Sequence, residues 1–329
     1  MNFAEANEDP ESSPDVEAEP QPPAYPSSRA AHPEGDQGSP ETNGWGSEEL
    51  APTAEAPVFR PARPRLIPNL GHTLVFGLLL VPSFIAGYIL TFLFFLAVLH
   101  PANAHLLIER MGREFRYAIT MQAVVYGVQW ALAALVFGLW WGRSLTEGVH
   151  WNAATARRWI WRLALIGVAT GLVMTLAGNF VPMPKTPPIL EDLTKSRLGA
   201  WLMLIFGVTL APLTEELAFR GFLLMSLINF FRWLERRGAI GGAAVRNFGI
   251  PVSIVITSFA FAMVHAGQVS HSWGPLLLIG MVSVILCIVR LRLDSVAAGV
   301  VVHAAYNLTL FAALLVQTDA FRHLDKLNG

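Results

Sequence analysis

The stretch Ala211-Pro-Leu-Thr-Glu-Glu-Leu-Ala-Phe-Arg220 decides the fold, because it places charge inside a long apolar segment of this 329-residue chain. Glu215, Glu216 and Arg220 are the only charged side chains between Leu198 and Phe231. Charge at bilayer depth is costly, so an ionisable residue there indicates a functional site. On a helix, Glu216 and Arg220 are four residues apart with the acid first, which favours an ion pair. Glu215 lies about 100° round the helix and faces elsewhere.

The composition is that of a membrane protein. Hydrophobic residues make up 53% of the chain and charged residues 14%, whereas a soluble domain carries about 25% charge. Thirteen acidic residues and one basic residue, Arg29, precede Arg60, so the remainder is basic although the formal net charge is −1. A basic membrane region fits arginine-rich cytoplasmic loops, and we expect no nucleic-acid partner. The single cysteine, Cys287, lies in an apolar run and is predicted to serve packing.

The N-terminal segment is predicted to be a disordered acidic tail, residues 1–65. It is rich in Pro, Glu, Ser and Gly, so it cannot bury enough apolar surface to fold alone. It has no basic region followed by an apolar one, and we therefore expect no secretory signal peptide.

Seven apolar segments are predicted to cross a membrane, most of them near the roughly 20 residues that a bilayer requires. They are Gly71–Leu99, Ala118–Trp141, Trp159–Val181, Leu198–Phe231, Ile250–His265, Trp273–Val289 and Ser295–Val316. Pro212 makes the fourth either one kinked span or two short helices. One span keeps more arginines on the side of a cytoplasmic N-terminus, as the positive-inside rule favours. The prediction is an all-α polytopic membrane helix bundle of seven spans. The number would be eight if the first segment or the region 100–117 were divided differently.

Two later spans carry polar side chains at helical spacing. Phe261 and His265 share one face of the fifth span, and His303 and Asn307 share one face of the seventh. On this topology, Glu215 and His265 each lie about 24 Å from the inner ends of their helices, and His303 and Asn307 about 13 and 20 Å. We expect Glu215, His265, His303 and Asn307 to meet at a common depth and to line a polar pocket that admits water. Asp294, just before the last span, is predicted to help cap it.

This set of side chains suits hydrolysis of a peptide bond. A base takes a proton from water while donors meet the developing oxyanion. Glu215 is the predicted base, and His265 would hold or help to deprotonate the same water. His303 and Asn307, one turn apart, can aim two donors at one oxygen. The alternative is a zinc site with Glu215, His265 and His303 as ligands and an open fourth position.

Three motifs in this order resemble the CPBP family of intramembrane proteases. That family is related to type II CAAX prenyl endopeptidases and to bacteriocin-processing and immunity proteins. The resemblance covers residues 198–310. The motifs are Glu215-Glu216-x-x-x-Arg220, Phe261-x-x-x-His265 and His303-x-x-x-Asn307.

The resemblance implies a role for each motif residue. Glu215 and His265 would activate water, and His303 and Asn307 would form an oxyanion hole. Glu216 and Arg220 would form an ion pair that shapes the site. The family is often labelled metalloprotease, yet the resemblance equally supports a metal-free mechanism. The sequence has no His-Glu-x-x-His helix, so we expect no cofactor and keep zinc as the alternative.

The resulting interpretation divides the chain into four parts. These are the tail 1–65, N-terminal transmembrane helices 66–197, a CPBP-like protease core 198–317 and a C-terminal tail 318–329. The expected function is an intramembrane endopeptidase in a bacterial plasma membrane, with the N-terminal tail in the cytoplasm. The expected partners are the lipid bilayer and a substrate polypeptide that is membrane-bound or lipidated, with prenylation as one option.

Two rival functions stay open. The first is a catalytically silent membrane scaffold or bacteriocin-immunity-type binding protein, in which Glu215→Ala would leave function intact. The second is an ion- or proton-coupled transporter, in which intramembrane Glu and His residues relay protons or bind an ion. A transporter is disfavoured because few polar residues lie in the spans outside the motifs and no internal repeat is evident.

Overall fold

The computed structural model describes residues 65–327 except 102, 185–187, 189, 190, 192 and 194. The predicted disorder of residues 1–64 lies outside the described residues. Within the described part, every regular element is helical, and seven helices are long and apolar enough to cross a membrane. The predicted all-α bundle with seven spans is confirmed, and the chain is an integral membrane protein.

We number these seven membrane-spanning helices in chain order. They are span 1 (Leu70–Leu99), span 2 (Phe115–Trp141), span 3 (Ile160–Phe180), span 4 (Arg197–Arg236), span 5 (Gly242–Val264), span 6 (Trp273–Leu293) and span 7 (Val296–Gln317). Short α-helices lie at Ala104–Arg113, Leu145–Gly148 and Ala153–Arg158. Single 3₁₀ turns lie at Ala266–Val269 and Leu324–Leu327.

Some spans are built from successive helical pieces. Span 1 joins Leu70–Leu78 to Leu80–Leu99, and span 3 joins the α-helix Ile160–Ala177 to the 3₁₀ turn Gly178–Phe180. Span 5 joins Gly242–Ala244, a π-helical turn Val245–Gly249 and Ile250–Val264. Span 4 joins Arg197–Val208, Leu210–Glu216, a π-helical turn Leu217–Leu223 and Leu224–Arg236.

Span 4 is a single kinked helix, as predicted, and the break falls at Thr209. Pro212 has no N–H for the carbonyl of Val208, and Thr209 between them leaves helical geometry at φ −118° and ψ −80°. The π-helical turn follows directly after Glu216, and such turns are frequent at functional sites. The 40 residues of span 4 would reach about 60 Å, twice the hydrocarbon thickness. The ends of span 4 therefore extend beyond the apolar layer.

Span 1 is also interrupted three residues ahead of a proline, at Leu79 before Pro82, although Leu79 keeps helical dihedral angles. Gln129 of span 2 is fully buried, and its Nε2 donates to the carbonyl of Phe76 at 2.8 Å. The hydroxyl of Ser83 lies 2.8 Å from Gln129 Oε1. A backbone carbonyl without a donor is costly at bilayer depth. The amide of Gln129 therefore stabilises the proline break in span 1.

Span 7 packs closely along span 3 because two glycines leave room for it. A Cβ on Gly167 would lie 2.4 Å from the carbonyl oxygen of Val302, and one on Gly171 would lie 2.8 Å from Cβ of Thr309. Small residues four apart are typical of close contacts between membrane helices. This contact fixes the position of span 7, which carries two of the predicted site residues, His303 among them.

The cap of span 7 is Ser295, so the prediction of Asp294 as a cap is wrong. The hydroxyl of Ser295 accepts from the N–H of Ala298 at 3.1 Å. Asp294 instead contacts Nη1 of Arg290 at 2.7 Å and Nδ1 of His150 at 2.6 Å. Although burial opposes it, hydrogen bonding to Arg290 and His150 lowers the pKa of Asp294. Asp294 thus joins the end of span 6 to the loop after span 2.

Candidate active site

Glu216 and Arg220 form a fully buried ion pair inside the bundle. Both side chains are 0% exposed, and Nη1 of Arg220 lies 3.0 Å from Oε1 of Glu216. Nη2 of Arg220 donates to the hydroxyl and the carbonyl of Ser283 on span 6, at 2.7 and 3.1 Å. The guanidinium carbon also lies 4.5 Å from the ring centroid of Phe261 on span 5, a cation–π contact. This pair therefore connects spans 4, 5 and 6.

The same carboxylate reaches span 7. Nδ1 of His303 lies 2.9 Å from Oε1 of Glu216. Because that oxygen also accepts from Arg220, it is an acceptor here, and Nδ1 of His303 carries the proton. A Cβ at Gly299 would lie 2.6 Å from Oε2 of Glu216, so a side chain there would displace the carboxylate. Glu216 thus orients His303, and Gly299, one turn earlier on span 7, leaves room for Glu216.

Glu215 faces a different set of atoms. Its Oε2 lies 3.8 Å from Nε2 of His265 and 3.8 Å from Nε2 of His303. The side chains of Glu215 and His265 are 20% and 17% exposed, whereas Glu216 is closed off completely. A distance of 3.8 Å is too long for a direct hydrogen bond. A polar contact of this length raises the question of a bridging water molecule, which the proposal below takes up.

Both histidines present the same kind of atom to Glu215. Nδ1 of His265 lies 2.8 Å from the carbonyl of Phe261, one turn earlier, and a carbonyl oxygen can only accept. Nδ1 of His303 likewise donates to Glu216. In a neutral imidazole, Nε2 is then an acceptor. Two imidazole lone pairs and one carboxylate oxygen therefore converge, and the donor hydrogens between them must come from water or from an added proton.

Asn307 lies one turn beyond His303 and contacts the backbone of span 4. Its Nδ2 donates to the carbonyl of Gly207 at 2.6 Å, next to the break at Thr209. This contact repeats the one that Gln129 makes beside the break in span 1. One of the two amide hydrogens of Asn307 remains for another acceptor. The structure thus brings Glu215, His265 and His303 together and places Asn307 against span 4.

Two residues of this arrangement were not singled out from the sequence. Ser283 anchors Arg220, and Gly299 leaves room for Glu216. A serine within an apolar span is a weak signal, because serine hydroxyls in helices often bond a carbonyl of their own helix. The position of Gly299 four residues before His303, on the same helical face, is the stronger signal.

The predicted polar pocket was expected to be lined by all four site residues. The structure has a cavity of about 660 Å³ between the ends of spans 1, 2 and 4, and none of the four predicted residues lines it. The polar pocket at the site itself stays a prediction. The site meets its surroundings through the partly exposed side chains of Glu215 and His265.

The three side chains resemble a zinc site in their chemistry but not in their spacing. Each histidine offers its second ring nitrogen to an oxygen acceptor, as zinc-bound histidines do. Ligands of a tetrahedral zinc ion lie about 3.3 Å apart, given bonds of about 2.0–2.1 Å, whereas Glu215 Oε2 lies 3.8 Å from both Nε2 atoms. Among the described residues, no group of three or more His, Cys, Asp or Glu is placed to hold a metal ion. The spacing does not fit zinc, and no step below is assigned to a metal.

Comparison with known proteins gives a family match over the later spans. Residues 197–309 match the family described as type II CAAX prenyl endopeptidase, Rce1-like. The matched segment runs from the start of span 4 into span 7 and contains every predicted site residue. This agrees with the resemblance read from the motifs and supports, in general terms, a CAAX-type membrane protease. No curated protein and no solved structure matches the chain.

Proposed function

We propose that the protein is an intramembrane endopeptidase in which Glu215 activates water to hydrolyse a peptide bond. One observation carries this proposal: Oε2 of Glu215 faces Nε2 of two oriented histidines at 3.8 Å, and no described residue holds it more closely. The adjacent Glu216 is held by Arg220 and His303. The family match supports the same class of reaction.

The water is the nucleophile in this mechanism. It lies between Oε2 of Glu215 and Nε2 of His265 and His303 and donates its hydrogens to two of them. Glu215, assisted by His265, takes one proton as the water oxygen forms a bond to the carbonyl carbon of the peptide. That proton then passes to the leaving nitrogen as the C–N bond breaks. The products are a carboxylic acid and an amine.

The developing oxyanion needs hydrogen-bond donors, and the proposed donors are His303 and Asn307. With neutral histidines, Glu215, Glu216 and Arg220 carry a net charge of −1, which is costly away from water. Nε2 of His303 is a donor only when it carries a proton, and the water then donates its hydrogens to Glu215 and His265. The second amide hydrogen of Asn307 is the other proposed donor, while the first stays on Gly207.

The family match and the bilayer setting support one class of substrate. We assign as substrate a membrane-bound polypeptide that is cut near a prenylated C-terminus, and the bilayer as the second partner. The arginine-rich loops lie on the side where span 1 begins and spans 2, 4 and 6 end, so we place that side and the N-terminal tail in the cytoplasm. A bacterial plasma membrane is the proposed location.

The test is cleavage of prenylated and unprenylated peptides by the purified protein in detergent. Wild type is compared with Glu215→Ala and with Glu235→Ala, an exposed acid at the end of the same span. Loss of cleavage in Glu215→Ala alone, unaffected by a strong chelator, supports the metal-free mechanism. Loss on chelation that zinc restores would replace it by the zinc alternative. Absence of cleavage by folded wild type, together with partner capture that survives Glu215→Ala, would favour the silent binding protein.

A further inference from the structure

The cavity between the ends of spans 1, 2 and 4 is separate from the proposed active site. We call it the interface cavity; Ser226 and Asn229 are among the residues that line it. Ser226 lies 11 residues after Glu215, or about 16 Å along the helix. The volume of the interface cavity, about 660 Å³, is within the range of small-molecule sites.

The walls of the interface cavity are joined by hydrogen bonds between spans 1 and 4. Nδ2 of Asn229 donates to the carbonyl of Pro68 at 2.8 Å. The hydroxyls of Ser226 and Thr73 lie 2.6 Å apart. The cavity is therefore formed before any ligand enters, which lowers the cost of binding.

Positive charge is concentrated in this cavity. Three arginines line it, namely Arg65, Arg143 and Arg236, and none of the described residues that line it is acidic. The planar guanidinium groups of Arg65 and Arg143 can each bind a phosphate group through two hydrogen bonds. The cavity is therefore suited to an anion that carries phosphate oxygens.

The cavity also lies at the level of the membrane interface. The start of span 1 and the ends of spans 2 and 4 meet there, and in a chain that crosses the bilayer with each span these lie on one side. Trp140, Trp141 and Trp233 line the same cavity, and tryptophan is enriched at headgroup level. A ligand held by Arg65 and Arg143 is thus level with lipid headgroups.

An apolar track leads from the cavity into the bilayer. Leu70 lines the cavity, and Leu70, Leu74 and Leu78 are all exposed. They follow one another at intervals of four residues, so they form one stripe along span 1. A free phosphate ion would use the arginines alone, whereas a phospholipid would also place an acyl chain along this stripe.

We propose that the interface cavity is a binding site for an anionic phospholipid, with its phosphate on Arg65 and Arg143 and an acyl chain along span 1. Basic pockets between membrane helices on the arginine-rich side are typical sites for anionic headgroups. The bound lipid would hold span 1 against the second half of span 4, the helix that also carries Glu215. This site is independent of the proposed peptidase activity.

The experiment is native mass spectrometry of the full-length protein in detergent, titrated separately with phosphatidylglycerol, phosphatidylcholine and inorganic phosphate. The test variant is Arg65→Gln/Arg143→Gln. Its matched control is Arg232→Gln/Arg292→Gln, which removes two exposed arginines at the ends of spans 4 and 6, outside the cavity. All four positions are exposed, so both variants are expected to fold as wild type does, which circular dichroism checks.

We expect wild type and control to retain phosphatidylglycerol in preference to phosphatidylcholine. The test variant should bind phosphatidylglycerol about 30-fold more weakly, since each arginine near an anionic headgroup contributes roughly a fivefold factor. Equal retention of both lipids, or an equal loss in test and control variants, would overturn the proposal. Binding of inorganic phosphate as tight as that of phosphatidylglycerol would show a free-phosphate site instead.

Discussion

Glu215 and Glu216 are neighbours with the same side chain, and the fold gives them opposite surroundings. Glu216 is 0% exposed, accepts from Arg220 and His303 at 3.0 and 2.9 Å, and fits against Gly299. Glu215 is 20% exposed and has two histidine nitrogens at 3.8 Å. A held carboxylate connects four spans, whereas an open one is able to accept a proton. Substitutions at the two positions should therefore separate stability from activity.

The difference arises from helix geometry together with the packing of span 7. Successive residues point about 100° apart on a helix, so one glutamate faces spans 6 and 7 and the other faces the gap between spans 5 and 7. His303 touches both, through Nδ1 to Glu216 and Nε2 towards Glu215. A substitution that displaces Glu216 is therefore expected to move His303, and with it the Nε2 atom that faces Glu215.

The largest expected effect on stability comes from Glu216→Gln. This change removes the negative charge that Arg220 faces in a fully buried position. Breaking a buried ion pair by removing one partner costs about 3–5 kcal/mol. Thermal unfolding in detergent measures the loss, and Glu235→Gln, an exposed acid on the same span, is the control. Wild-type stability in Glu216→Gln would contradict the role assigned to this residue.

The substitution Gly299→Ala on span 7 is expected to disturb the ion pair of Glu216 and Arg220. The new Cβ would lie 2.6 Å from Oε2 of Glu216, so the carboxylate or span 7 has to move. Such overpacking costs about 1–3 kcal/mol. Gly127→Ala on span 2, where no atom lies within 4 Å of the added Cβ, should leave unfolding unchanged. If both variants unfold at the same temperature, Glu216 does not depend on Gly299 for its position.

A comparison of Asn307 with Gln129 distinguishes a purely structural role of Asn307 from a catalytic one. Each amide donates to a carbonyl beside a proline break, so Asn307→Leu and Gln129→Leu should each lower stability by about 1–3 kcal/mol. If Asn307 also meets the oxyanion, Asn307→Leu alone should lower kcat, by about 10²-fold or more. The kcat values of the two variants, measured below their unfolding temperatures, decide this. Equal kcat values would leave Asn307 only the supporting role.

The smallest effect is expected at the pair formed by Arg290 and Asp294. It has the same spacing of four residues as Glu216 and Arg220. Arg290 is only 1% exposed, but Asp294 is 61% exposed, so water screens the pair from the side of Asp294. Exposed pairs contribute about 0–1 kcal/mol. Because the pKa of Asp294 is lowered in the folded state, its contribution is present above the ordinary value of 3.8 and is lost as pH falls through the folded value. Asp294→Asn should flatten the decline in stability in that acidic range; a decline as steep as in wild type would contradict this.

The spans were predictable from the sequence because hydropathy reports which residues lie in lipid. The residues at which the spans begin and end were harder to predict. Span 5 was predicted from Ile250 and begins at Gly242, since helices continue past the apolar layer through residues such as Arg246 that read as loop. The kink near Pro212 follows from the missing N–H, whereas the π-helical turn after Glu216 depends on tertiary packing.

The parts of the candidate site that depend on spacing along a single helix were predictable from the sequence. Spacing of four residues gave the pair of Glu216 with Arg220, and the depth estimate allowed Glu215 and His265 to meet, as they do. The contacts of Ser283 and Gly299 depend on which helices are neighbours, and no pattern along one helix reports that. For the same reason, the contact of Asn307 with Gly207 was not foreseen.

The most direct test of the central claim is the cleavage rate of Glu215→Gln, measured beside its unfolding temperature. Glutamine keeps the shape of the side chain and removes the base. The account predicts that kcat falls by about 10²–10⁴-fold while the unfolding temperature stays at the wild-type value, the reverse of Glu216→Gln. A Glu215→Gln protein that cleaves the peptide at the wild-type rate would contradict the claim that Glu215 activates the water.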